Sequence, residues 1–247
     1  MKLCDAHCHL ANLSVDMPLA PLISEATSHG ITTYLSSALS KAELASYPSL
    51  QAQLPGRLLY SAGIHPSYDE CDLEIKDIQK LCEARQIWAI GEIGMDRNTK
   101  DTDWMQSIFI RQLELAASYK LPVVLHIVGH QQEAYNILKD FPLRYLIHGY
   151  AGSLEAFQVF TKLDCCFTIS ERILRPDKHD LLQEMLAGGR YLFETDITRY
   201  YVAENEANPL LRLINVLNRS AELSGIPIEE LTAVQATNYK YLTGYDL

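Results

Sequence analysis

The sequence predicts an α/β protein folded as a (β/α)8 TIM barrel, and three observations carry that prediction. Short β-rich apolar runs alternate with amphipathic stretches along the whole chain. Eight such runs fit within 247 residues, about the length one barrel of this kind needs. His, Asp and Glu stand at or just past the ends of most of them. A doubly wound open sheet would show the same alternation, but no Gly-rich GxGxxG turn follows the first run. No linker-like shift in composition interrupts residues 1–247, so a single domain is expected.

The first strand is expected at 2–6 and leads into His7 and His9. A helix over 19–28 returns the chain to the second strand, 31–37. The third, 57–62, runs towards His65 and is followed by a helix over 73–85. The fourth is expected at 87–91, with Glu92 at its end. In the helix over 104–119, Ile108, Phe109, Leu113, Leu115 and Ala116 recur at near-helical spacing. The fifth strand, 122–126, ends on His126 and precedes a helix over 131–140. The sixth, 144–148, ends on His148 and precedes a helix over 153–162. After the seventh, 164–169, His179 lies in a polar stretch that reads as a surface loop or a helix start. The eighth, 190–195, reaches Asp196, and a helix over 209–223 follows. Residues 228–242 read as an extra C-terminal helix packing outside the ring.

Composition narrows the functional classes. With 48% hydrophobic and 21% charged residues, the chain is neither disordered nor fibrous. A net charge of −10 excludes a broad basic face that coats nucleic acid, though not a local grip on a few phosphates. The N-terminus has no apolar signal core, and the longest apolar stretch, 121–128, is too short to span a bilayer. Six Cys without a CxxC pair read as reduced thiols of a cytoplasmic protein. No obligatory protein partner is evident.

In a barrel the C-terminal strand ends converge on one face, so residues scattered over the chain would form one cluster. His7 and His9, two apart on a strand, point to the same side and can reach one cation, with Cys8 turned away. Glu92 lies in the apolar run Ala89-Ile90-Gly91-Glu92-Ile93-Gly94, where an unpaired carboxylate is costly. A metal is a good partner for it. Four imidazoles (His7, His9, His126, His148) and two carboxylates (Glu92, Asp196) exceed the needs of one tetrahedral zinc. They suit two divalent cations sharing a carboxylate, and Glu92 is the natural bridge. Abundant imidazole favours Zn or Mn over an all-oxygen Mg or Ca site, with Mg retained as a candidate. Two metals about 4 Å apart activate water and steady a leaving oxygen, which is hydrolysis.

At these residues the chain resembles the TatD family of metal-dependent deoxyribonucleases, among the amidohydrolase-like barrels. The resemblance rests on Asp5-Ala6-His7-Cys8-His9-Leu10, Gly63-Ile64-His65-Pro66 and Ile90-Gly91-Glu92-Ile93-Gly94-Met95-Asp96. It continues through Leu121-Pro122-Val123-Val124-Leu125-His126, His148-Gly149-Tyr150-Ala151-Gly152-Ser153 and Phe193-Glu194-Thr195-Asp196. It implies that His7, His9, Glu92 and Asp196 hold one cation, and Glu92, His126 and His148 the other. It further implies that His65 contacts a substrate phosphate, that Asp196 orients the attacking water, and that the substrate is short or single-stranded DNA.

The departures fall on the substrate side. Val128 stands where the family usually has Arg, Gly149-Tyr150-Ala151 replace Cys-Phe-Ser, and Ile197-Thr198 replace Ala-Pro. An acidic residue after the first motif's Leu gives way to Ala11 and Asn12. Losing a bidentate phosphate donor makes hydrolysis of carboxylic esters or amides the alternative reading. A metal-binding module without turnover is a third, opposed by the intact ligand set. His130 reads as support or as a substitute phosphate donor, and His29 as a helix C-terminal residue. Glu194 reads as support one pleat below Asp196. Tyr200 and Tyr201, beside Arg199, read as a base-stacking pair or an ordinary surface pair.

Overall fold

Residues 2–247 are described in a computed structural model. Each predicted strand forms: β1 Leu3–Cys8, β2 Ile31–Ala38, β3 Leu58–Ala62, β4 Ala89–Asp96, β5 Val123–Val128, β6 Tyr145–Ile147, β7 Cys165–Ile169 and β8 Tyr191–Phe193. All neighbouring pairs are parallel and follow chain order, the pattern of right-handed β–α–β units wound into a barrel. The ring closes where Asp196 N donates to His7 O at 2.9 Å and His9 N donates to Ile197 O at 3.0 Å.

The connections are helical. α1 Leu10–Leu13 and α2 Leu19–Ser28 follow β1, and α3 Lys41–Gln53 follows β2. α4 Ile75–Glu83, α5 Thr102–Tyr119, α6 Gln131–Leu138 and α7 Leu154–Phe160 follow the next four strands. α8 His179–Gly188 precedes β8, and α9 Arg212–Ser224 and α10 Ile228–Thr243 end the chain. Local chemistry starts several of them: Ser40, Asp101 and Ser153 accept from backbone N–H groups three residues on, at α3, α5 and α7. Along α5, Met105, Phe109, Leu113 and Ala116 are buried at helical spacing, while Ile108 and Leu115 are only partly so.

Two corrections concern strands. β4 runs to Asp96, so Glu92 lies in mid-strand rather than at its end. Glycine permits this: a Cβ on Gly91 would stand 2.5 Å from Val124 Cβ, and one on Gly94 would strike the backbone carbonyl of His126. β8 is shorter than expected, and Asp196 lies three residues past it.

A third correction concerns the last helix. Two residues below His126, His148 and Glu194 lie Val124, Leu146 and Leu192, on the same strand faces by period two. With Cys4, Ala6, Leu35, Ala89 and Cys166 they form the buried layer beneath the site. Tyr239 and Leu242 of α10 belong to this layer. Gln235 of the same helix bonds Cys4 O and Phe193 N, and Asn238 bonds Gly189 O and Tyr191 O. α10 therefore stops the N-terminal mouth of the barrel instead of packing outside the ring. All six Cys are free, and no helix of the described residues is long and apolar enough to cross a membrane.

Candidate metal centre

The strand ends bring the predicted residues together. His7 and His9 come from the end of β1, His65 from the loop after β3, Glu92 from β4 and His126 from β5. His148 follows β6, and Asp196 follows β8. The two oxygens of Glu92 face different partners. Oε1 lies 3.3 Å from His7 Nε2 and 3.0 Å from His9 Nε2. Oε2 lies 2.8 Å from His148 Nε2, 3.7 Å from His126 Nδ1 and 3.7 Å from His65 Nε2. Asp196 Oδ1 completes the first group, 3.7 Å from both His7 and His9.

This donor set fits divalent cations. His7 Nε2 and Glu92 Oε1 are buried without a hydrogen-bond partner among the described residues, although they lie close together. A buried polar atom left so is costly unless another group completes it. His7, His9 and Asp196 offer atoms within 4.8 Å of one another, as do His65, Glu92 and His126. His65, expected against substrate, thus also stands at ligand distance. His7, His148 and Glu194 form a third group, with Glu194 the deepest.

Charge is set by burial and neighbours. Burial, then His126, pushes the His65 imidazole down to about 3, and burial, then His7, pushes His148 down to about 4. Both rings keep a lone pair for a cation at neutral pH. Burial opposes charge on His126, but bonding to Asp96 and the proximity of Glu92 lift it to about 9. Burial also works against Glu92 and Asp196, and the surrounding imidazoles still hold both carboxyls well below the usual range. Burial, then the Asp196 charge, drives the Glu194 carboxyl well up.

Several contributors were not singled out from sequence. Asp96 Oδ2 lies 2.7 Å from His126 Nε2 and turns the Nδ1 edge of that ring towards Glu92. It lies two pleats beyond Glu92 on one strand, a period-two signal that could have marked it. Asp5 accepts from Thr195 N at 3.0 Å and from Thr195 Oγ1 at 2.6 Å, tying the end of β8 to β1. That clamp helps hold Asp196 at φ 54°, a left-handed conformation unusual for a non-glycine residue. Gln112 of α5 pairs with both backbone groups of Ile64 and fixes the loop bearing His65. Arg172 Nη2 donates to Asp196 Oδ2 at 2.8 Å.

Above the cluster lies a cleft of about 340 Å³, whose wall includes Asn12, Tyr68, Tyr200 and Tyr201. Val128 pairs in register with Asp96 but does not line this cleft, and neither does His130, which caps α6. Cys8 is buried away from the cluster, its Sγ against Leu35 O, and His29 caps α2 at its C-terminus. His179 is the first residue of α8.

A family model described as TatD related DNase matches residues 4–244. The chain belongs to the TatD family. Among TatD relatives, an uncharacterized metal-dependent hydrolase of Methanocaldococcus jannaschii is 25% identical over 95% of this chain and 94% of its own length. The human deoxyribonuclease TATDN3 is 22% identical, covering 96% of this chain and 92% of the relative. A 3'-5' ssDNA/RNA exonuclease TatD of Erwinia tasmaniensis is 27% identical, covering 90% and 92%. The crystal structure of the TatD homologue YjjV from Escherichia coli superposes with a TM-score of 0.84 over 98% of both chains, at 24% identity. At the level the family fixes, the chain is a TatD-type metal-dependent hydrolase.

Proposed function

We propose that this protein hydrolyses phosphodiester bonds in short or single-stranded DNA, using two divalent cations (Zn, Mn or Mg) that share Glu92. The observation that carries the reading is the division of Glu92, Oε1 towards His7 and His9 and Oε2 towards His126 and His148. His7, His9, Glu92 and Asp196 would hold one cation, and Glu92, His126 and His148 the other. The nuclease names of the human and Erwinia relatives support the substrate class. The six free thiols accord with a cytoplasmic location.

Two bound cations would supply a nucleophilic water at neutral pH and charge stabilisation at the scissile group. The chain's own residues do the rest. Asp196, with Oδ2 held by Arg172, keeps Oδ1 turned inward to orient the attacking water. Asp96 fixes the ring of His126, and His65, neutral and on the cleft wall, meets a substrate oxygen. Tyr200 and Tyr201, each more than half exposed on the rim, offer faces on which a base can stack.

The test is a panel of DNA oligonucleotides, model phosphodiesters, carboxylic esters and amides, each assayed with Mn, Zn and Mg, with metal content measured in parallel. Cleavage of oligonucleotides with up to two cations per chain is expected. Turnover confined to carboxylic esters or amides would install the second reading. Stoichiometry fixed at zero in folded protein after reconstitution would end both.

A further inference from the structure

The cleft wall is acidic. It carries Glu43, Glu92, Asp96 and Asp196, and among the described residues lining it only Arg172 bears a permanent positive charge. Arg172 sits in a short 3-10 turn, Glu171–Ile173, directly after β7. Buried Ser170 and Ile173 on either side anchor that turn. Its guanidinium is bonded through Nη2 alone, to Asp196 Oδ2. Nη1 and Nε have no hydrogen-bond partner among the described residues, and the side chain is 46% exposed.

Space for the guanidinium comes from the adjacent strand end, that of β6. A Cβ on Gly149 would stand 3.4 Å from Arg172 Nη1 and 3.5 Å from Glu194 Oε1. Any longer side chain there would reach into the volume that Nη1 occupies. Gly149, at φ 56°, is also a position where non-glycine residues are disfavoured. The chain thus leaves a gap beside His148, and the one cation of the wall fills it.

We propose that Arg172 is the anion-recognition residue of the cleft. With Nη2 held on Asp196, it presents Nη1 and Nε to a negatively charged oxygen of the substrate and so selects phosphoric esters over neutral ones. A planar guanidinium suits this, because it can hold a carboxylate with one arm and receive a phosphoryl oxygen with another. The inference rests on reading the cleft as a hydrolytic metal centre and names the substrate class of that site. The rival role is purely positional, with Arg172 holding Asp196 and touching no substrate.

Calorimetric titration of inorganic phosphate separates the two roles. It is run on wild type, Arg172→Gln and Arg172→Lys, with and without Mn, and metal content is measured on the same samples. Phosphate affinity of the Mn-loaded protein should fall about ten- to a hundredfold in Arg172→Gln at retained metal content, the range for a charge-assisted hydrogen bond. Arg172→Lys should recover part of the loss through its point charge. The loss of kcat/KM in Arg172→Gln should be at least about tenfold larger on a phosphodiester than on a neutral carboxylic ester, as the loss of one such bond implies. Three results would overturn the proposal: wild type binding phosphate in neither form, equal affinity in all variants, or affinity falling only as metal is lost. Failure of the nuclease reading appears elsewhere, as Mn-loaded wild type that binds phosphate yet turns over no phosphodiester.

Discussion

Glu92 stands at the centre of the cluster, with one carboxylate oxygen facing each imidazole group. An amide keeps the shape but provides one neutral oxygen, so Glu92→Gln should lose at least one cation and about a hundredfold or more in turnover. Circular dichroism should show the fold intact, and full activity would reduce Glu92 to a structural role. Glu92 was legible in the sequence because a carboxylate in an apolar run needs a partner, and the histidines were legible because each ends a β-rich run. Arg172 was not legible, since its 3-10 turn has no periodicity that would aim a side chain at the site. Asp5 was hidden for another reason. A buried Asp early in a strand says nothing of Thr195, which lies 190 residues away in sequence.

Among the elements, β4 shows how glycine can mislead a reading of boundaries. Gly91 and Gly94 look like punctuation, yet each removes a side chain where β5 passes closely, and the strand continues to Asp96. Gly94→Ala should therefore destabilise the fold by about 3 kcal/mol, the upper part of the overpacking range. Gly56→Ala, where nothing lies within 4 Å of the added atom, should cost only about 1 kcal/mol from its positive φ. Denaturant unfolding of both variants measures the contrast, and equal costs would show that strand approach is not the constraint. α3 escaped notice because Pro48 lies inside it and its buried residues, Glu43, Tyr47 and Leu50, form no continuous apolar stripe. It forms because Ser40 caps its start and Tyr47 packs into the outer core, where its ring stacks on Tyr60. Tertiary packing outweighed local pattern there.

On the scale of the whole molecule, a chain of net charge −10 offers one permanent cation to the cleft. Binding of a single-stranded oligonucleotide should depend weakly on salt, with a log–log slope near −1 for one or two phosphate contacts. Fluorescence anisotropy across a salt series measures it, and a slope of −5 or steeper would contradict a local grip and require a basic groove. The barrel order was legible because eight alternating units allow few alternatives. The place of α10 was not, because an amphipathic pattern shows that a face is buried but not what buries it. With Tyr239 and Leu242 filling the lower opening, the protein is a vessel whose cluster opens on the cleft above it. Under the proposed function, cations, substrate and product would share that cleft, so metal would enter before nucleic acid and leave after product. A bound mononucleotide should therefore act as a cork, slowing removal of the cations by a chelator in stopped-flow measurements. A chelation rate indifferent to the mononucleotide would mean that the vessel has a second way out.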